Sequence, residues 1–220
     1  MKKCLLIAAT LSLPLLMATQ ISFAAAPSTI INQAKILSDA PTLNPYALKY
    51  AVKGYNWARK KTRISKPNIL TIIDFSLPSN KKRVWVIDTN TSKTLMNVYT
   101  TQGKGSGALY ARSFSNQFNT NKTSLGVYKV TNSYHGKHGL SERLQGLENG
   151  INDNAFRRTI VVHPAWYASP SFVKQNNRAG RSWGCFAIDP AVSSKFVKIT
   201  RGGSILFAYA AQEKNDKNLK

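Results

Sequence analysis

From Asn68 to Tyr209 the chain is a succession of short β-branched and aromatic runs cut apart by Gly, Asn, Ser and Pro. The runs are Ile69–Phe75, Arg83–Asp88, Thr94–Tyr99, Leu125–Val130, Thr159–Val162, Phe186–Ile188 and Ser204–Tyr209. That punctuation predicts a mainly β domain. Asp88 to Lys93, polar throughout, predicts the turn of a hairpin. An apolar fraction of 43% in 220 residues excludes a disordered or low-complexity chain and sets an expectation of one domain plus appendages. Two cysteines, Cys4 and Cys185, are too few for a disulfide scaffold.

Helical patterning is confined to short stretches. Asn44-Pro45 reads as a cap followed by proline at the first helical position, and Ala47, Leu48, Ala51, Val52 and Tyr55 recur at helical spacing, predicting a helix to Lys61. Its basic end, Arg59 to Arg63, reads as a solvated helix terminus. Shorter helices are expected near Ser169–Gln175 and from Asp189-Pro190 to Ile199. Glu213 to Lys220 reads as a charged, frayed tail. Gly103-Lys-Gly-Ser-Gly107 lacks the ending of a phosphate loop and reads as a flexible hairpin loop.

Met1 to Ala26 carries two lysines, an apolar stretch from Cys4 to Met17 and small residues at Ala24 to Ala26, the pattern of a secretory signal peptide. Pro14, Thr19, Gln20 and Ser22 leave too short an apolar run for a spanning helix, and no later stretch is apolar enough for one. The expected organisation is therefore a signal peptide over 1–26, an N-terminal helical extension over 27–66, a β domain over 67–212 and a charged tail over 213–220. Removal of Lys2 and Lys3 lowers the formal charge from +22 to +20. Such a surface favours anionic partners, envelope polymers among them. The basic residues are spread along the chain without a nucleic-acid motif, so no specific nucleic-acid partner is expected. Export also leaves Cys185 as a lone thiol in an oxidising setting, where an idle cysteine is a hazard.

The sharpest local signal pairs Val161-Val-His163-Pro-Ala-Trp-Tyr167 with Gly180-Arg-Ser-Trp-Gly-Cys185-Phe-Ala-Ile188, 22 residues after the histidine. A free thiol has a pKa of ~8.5 and needs a base or a cation to become a nucleophile near neutrality. His163 is the candidate base. Gly184 permits a sharp turn beside Cys185, and the N–H groups of Trp183 to Cys185 are candidates to face an oxyanion. Ser182 is placed either within the loop's hydrogen bonds or near the thiolate. The bland alternative makes Cys185 a small core residue and His163 a strand cap. His135, His138, Glu142 and His163 match no zinc spacing, and a thiol nucleophile requires no metal, so neither metal nor cofactor is expected.

At these residues the chain resembles the L,D-transpeptidase-like family, in its murein L,D-transpeptidase catalytic domain group. The resemblance runs from about Leu70 to Tyr209 through Ile73-Asp-Phe-Ser-Leu-Pro-Ser79, Lys82-Arg83, Val86-Ile-Asp88, Phe114-Ser-Asn116, Ser124-Leu-Gly-Val-Tyr128, Tyr134-His-Gly-Lys-His-Gly139, Leu144-Gln-Gly-Leu147, Asn152-Asp153, Val162-His163 and Gly180-Arg-Ser-Trp-Gly-Cys185. It implies a β-sandwich or open barrel with a few short helices. It further implies that Cys185 forms a thioester with a peptidoglycan tetrapeptide stem, releasing D-alanine, and that the acyl group passes to an amine. His163 would act as base, its second nitrogen oriented by a main-chain carbonyl. Hydrolysis of the thioester, or a non-catalytic envelope-binding role, are the alternatives. The location implied is the periplasm or cell envelope. Two positions depart from the commonest family pattern: Trp183 stands in place of His, and Ala187 in place of Arg. Arg181 is then a candidate to bind a substrate carboxylate, to lower the Cys185 pKa, or to tie the loop to the sheet. Tyr134, Lys137 and His138 are expected to line the substrate groove, while Asn152, Asp153, Arg157 and Arg158 either line that groove or anchor polar loops, anchoring being the preferred reading.

Overall fold

The structure, a computed structural model, describes residues 30–219. The expected signal peptide lies outside the described residues. Ten strands and four α-helices follow in the order α1 (Gln33–Asp39), α2 (Pro45–Lys61), β1 (Ile69–Asp74), β2 (Val84–Asp88), β3 (Lys93–Val98), β4 (Gln102–Gly103), β5 (Gly126–Gly136), β6 (Gly139–Gly146), β7 (Val161–Pro164), α3 (Pro170–Asn176), β8 (Arg181–Ser182), β9 (Phe186–Ile188), α4 (Pro190–Thr200) and β10 (Ile205–Tyr209) among the described residues. Eight strands form one mixed sheet in the order β3-β2-β1-β10-β5-β6-β7-β9. The pairs β1–β10 and β7–β9 are parallel, the other neighbours antiparallel.

The sheet curls nearly onto itself. Past the end of β3, Thr100 Oγ1 donates to the Ala187 carbonyl of β9 at 3.0 Å, the Thr101 amide donates to the same carbonyl at 3.1 Å, and the Ala187 amide donates to Thr101 Oγ1 at 3.1 Å, so the two edges meet through one main-chain bond and two hydroxyls. This is the mainly β, open-barrel architecture expected. Arg83 holds the crossing: its guanidinium, fully buried, donates to the carbonyls of Leu77 and Thr100 and to the Gln102 side chain, and lies 4.8 Å from the Phe75 ring. Burial pushes it down to about 9, with the charge of Asp74 opposing.

Both faces of the central strands are covered, which is why their sequences read as continuous apolar runs instead of alternating ones. Ile69, Ile73, Val84, Val86, Tyr128, Leu206 and Ala208 face the barrel interior with Phe186 and Phe196. Leu70, Ile72, Trp85, Ile87, Val127, Ile205 and Phe207 point the other way, onto α1 and α2. The α2 helix presents Ala47, Leu48, Ala51, Val52, Tyr55 and Ala58 to this outer face, its start capped by Asn44 Oδ1, which accepts from the Tyr46 amide. Gly54 lets the helix lie close: a Cβ there would come 2.7 Å from Val127 Cγ2. Asp39 at the end of α1 accepts from the Thr94 amide at 2.7 Å and pairs with Lys93, tying the helices to β3.

Three segments differ from expectation. Residues 126–146 form one long hairpin, β5 and β6, whose second strand the sequence hides because Gly139–Gly146 alternates Ser, Glu, Arg and Gln with its few apolar residues. The Gly103 to Gly107 segment is no flexible loop. Gly103 lies so close to the Asn121 carbonyl that a Cβ would come within 2.2 Å of it, and β4 pairs with β8 beside the cysteine loop. The tail expected to fray forms two short 3-10 turns, Ala211–Asn215 and Lys217–Leu219, and Leu219 packs with α2, 1% exposed.

Because α2 supplies one wall of the second core, Leu48→Ala is expected to destabilise the whole chain by about 2–5 kcal/mol. A shift in the urea unfolding midpoint of a single transition checks this. A separate early transition would mark residues 30–66 as an independent extension.

Candidate active site

The site is built where two parallel strands and a hairpin meet. Strand β7 carries His163 near its end, and β9 lies alongside with His163 paired to Ala187. Cys185 sits two residues before that partner, at the entrance to β9. The loop before it is held by its own side chains: Ser182 Oγ donates to the Cys185 carbonyl at 2.7 Å and accepts from the Gly184 amide at 3.1 Å. Thr123 Oγ1 donates to the Gly184 carbonyl at 3.1 Å. Gly184 adopts φ +128, and a Cβ there would meet Ile160 Cδ1 at 2.7 Å, so both the backbone conformation and the space require glycine.

Cys185, His163, Ser182, Trp183, Arg181, Tyr134, Lys137 and His138 line one cavity of about 700 Å³. Gly184 stays behind the wall. Its amide, expected to face an oxyanion, is already committed to Ser182, so Gly184 and Ser182 shape the loop. Trp183 is 74% exposed at the mouth, with Lys104 Nζ 5.6 Å from its ring centre. Tyr134, Lys137 and His138 come from the tip of the β5–β6 hairpin, which places the histidine ring on that of His163 at 4.5 Å between centres. Glu142 turns away from the cavity and accepts from Thr200 Oγ1 of α4 at 2.8 Å, so the four groups weighed as metal ligands are not brought together.

The hydrogen bonds of the two central residues set their protonation. His163 Nδ1 lies 3.0 Å from the Pro164 carbonyl. A carbonyl only accepts, so Nδ1 carries the proton and Nε2 keeps a lone pair. Burial holds the imidazole below its ordinary range; the Pro164 carbonyl opposes this, while His138 and Lys137 push it lower. Cys185 is half-buried. Burial pushes its thiol up, opposed by the Val161 amide, Arg158, its own amide and Lys137. The resting pair is therefore neutral thiol and neutral imidazole. Among the described residues the thiol donates to the Thr159 carbonyl at 3.4 Å, not to the imidazole.

Arg158 is the residue sequence reasoning undervalued. Its Nη1 donates to the Ser115 carbonyl and Ser124 Oγ, and its Nη2 to the Lys122 carbonyl, at 2.6 to 2.7 Å. It also lies behind Gly184, 3.6 Å from where a Cβ would stand. It is thus an anchor that also lines the cavity, as Arg157 does, and its charge reaches the sulfur. Arg181, by contrast, makes no side-chain hydrogen bond among the described residues and does not tie the loop through its guanidinium; it stands exposed on the cavity wall. Its place five residues before His163 carries no local pattern that marks it as the cation beside the sulfur.

Removing the Arg158 charge is expected to move Cys185 alkylation by iodoacetamide to higher pH. A shift of one unit slows it about tenfold below the midpoint. Arg158→Met shows this shift and Arg158→Lys a smaller one, in alkylation rates measured from pH 6 to 10 on variants with unchanged circular dichroism.

Residues 39–209 match the family model described as the L,D-transpeptidase catalytic domain. No protein of curated function matches the sequence. Similar solved structures include an L,D-transpeptidase from Mycobacterium smegmatis (14% identity, TM-score 0.40), covering 65% of this chain and 59% of that one. Another is from Xylanimonas cellulosilytica (14%, TM-score 0.39), covering 64% and 60%. A third is from Stackebrandtia nassauensis (13%, TM-score 0.38), covering 80% and 75%. The chain thus spans about three fifths of the length of the mycobacterial protein. With the family model extending across most of the chain, from the end of α1 through β10, this protein belongs to the L,D-transpeptidase catalytic domain family.

Proposed function

We propose that the protein is an exported L,D-transpeptidase that uses Cys185 as nucleophile and His163 as base on peptidoglycan stem peptides. One observation carries the reading: the only cysteine among the described residues and a neutral, carbonyl-oriented imidazole line the same cavity from adjacent parallel strands. The sulfur leaves the Thr159 carbonyl and turns to His163 Nε2, which takes its proton as the carbon–sulfur bond forms at the carbonyl before the terminal D-alanine. The imidazolium then gives that proton to the departing amine. D-alanine leaves and a thioester remains. An amine of a second stem attacks the thioester, His163 takes its proton, and the thiol is regenerated.

The environment favours concerted transfer over a standing ion pair, because burial disfavours both charged forms. Transient charge on sulfur is met by the Val161 amide and Arg158. Arg181, unpaired on the cavity wall, suits a substrate carboxylate. The departure at Ala187 does not argue for loss of activity. Its side chain is fully buried beside Ala165 and Ala168, and Arg158 brings a cation to the sulfur from another loop. Water in place of the acceptor amine would make the same thioester the intermediate of an L,D-carboxypeptidase or cross-link hydrolase. The exposed mouth around Trp183 and Arg181 keeps that outcome open.

Export rests on the sequence of residues 1–26. No helix among the described residues is long and apolar enough to cross a membrane. The formal charge of +20 after cleavage would concentrate the enzyme on anionic envelope polymers, less so as salt rises.

Incubation with a carbapenem is expected to add the drug's mass to the wild-type protein and none to Cys185→Ala. His163→Ala is expected to slow acylation by ~10²–10⁴-fold. An unmodified, folded wild type would exclude an active nucleophile. Chromatography of muropeptides after reaction with a purified tetrapeptide stem then separates the outcomes: new cross-links for transpeptidation, trimmed stems for hydrolysis.

A further inference from the structure

The His163 ring is restrained in two directions. In its own plane, Nδ1 is held by the Pro164 carbonyl at 3.0 Å. Across that plane, one face is covered by the ring of His138, with 4.5 Å between centres and 28° between planes. His138 is exposed, makes no side-chain hydrogen bond among the described residues, and neither gives nor takes a proton in the reaction proposed above. Its ring contact is with the base.

The surrounding backbone builds this stack. Strand β6 pairs with β7 at Glu142 and Val162, so the hairpin runs on beside His163 and Pro164. At the tip Gly136 pairs with Gly139, which leaves Lys137 and His138 as a two-residue turn. Gly139 has φ +90, and a Cβ there would stand 3.4 Å from Pro164 Cγ, so the turn rests on the residue whose carbonyl holds the base. On its other side Gly136 lies against the Tyr134 ring, where a Cβ would come 2.8 Å from Cε2. The Arg143 guanidinium lies 4.5 Å from the centre of the same ring, and this cation–aromatic contact braces the tip.

We infer that His138 is a positioning residue for the base: its ring fixes the plane of His163 so that Nε2 meets the thiol in the orientation proton transfer requires, and its own protonation opposes the imidazolium that His163 must become. This role rests on the cysteine–histidine reading proposed above. Hydrogen bonds weaken steeply with misalignment, and a flat neighbour restricts the ring rotation that would misalign Nε2. The other charged or titratable groups lining the cavity are Lys137, Arg157, Arg158, Arg181, Tyr134, Tyr167 and Cys185, with no carboxylate, so no fixed anion offsets the charge of one imidazole at the other. Of these, Lys137 acts on His163 in the same direction as His138.

The test is acylation of Cys185 by a carbapenem, followed by intact mass from pH 5 to 9 over a series of drug concentrations. Wild type is compared with His138→Ala and His138→Phe, both at an exposed turn position and both checked by circular dichroism. His138→Ala is expected to lower the limiting acylation rate about tenfold with the half-saturating concentration unchanged. His138→Phe restores a ring without a charge. It is expected to recover the rate to within about threefold and to move the acid limb of the profile up by about half a pH unit, because no imidazolium then opposes protonation of His163. Plain groove lining instead raises the half-saturating concentration in both variants and leaves the acid limb in place, and that result overturns the inference. So does wild-type behaviour in His138→Ala. A folded wild type that is not acylated at all removes the cysteine–histidine reading, and the role of His138 with it.

Discussion

The parallel pairing of β7 with β9 is the constraint on which the rest depends. A parallel neighbour cannot be reached by a tight turn, so the chain must leave β7, pass through α3 and return in the same direction. The return delivers Cys185 just before β9 and sets Ala187 beside His163. The β9 strand stays in place because the opposite edge reaches it, Thr100 and Thr101 bonding to both main-chain groups of Ala187. Buried Arg83 in turn fixes Thr100. Closure of the barrel and placement of the sulfur are therefore one structural event.

The electrostatics of the cavity follow from that burial. Desolvation raises the thiol and lowers the imidazole, which favours the neutral form of both. The fixed partners are main-chain groups: the Pro164 carbonyl on one side of the imidazole and the Val161 amide by the sulfur. Main-chain dipoles hold their orientation because the sheet holds them, so the imidazole is oriented without a carboxylate. Arg158 adds a guanidinium whose field acts on the sulfur while being anchored to three neighbouring groups.

Much of this was legible in the chain. The helix from Pro45 to Lys61 and its Asn44 cap were readable because caps and apolar spacing are local. Strands β1, β2 and β10 were readable as apolar runs. Strand β6 was not, since Leu144 is its fully buried apolar side chain and the rest of its pattern is polar. The tail misled for the opposite reason: Glu213 and Asp216 look like solvated charges until the fold buries them. Gly103 looked like a loop hinge, although its missing Cβ serves a close approach to Asn121.

At the site, residue types and spacing determined the chemistry on offer: one thiol, one histidine at a strand end, and a glycine that only a tight turn would need. These are properties of the covalent chain and its local conformations. The tertiary structure alone decided which cation serves the sulfur, that the Gly184 amide is spent on Ser182, and that His138 stacks on His163. Those outcomes depend on distances between residues far apart in the chain, fixed by sheet register and burial, and no local pattern encodes them.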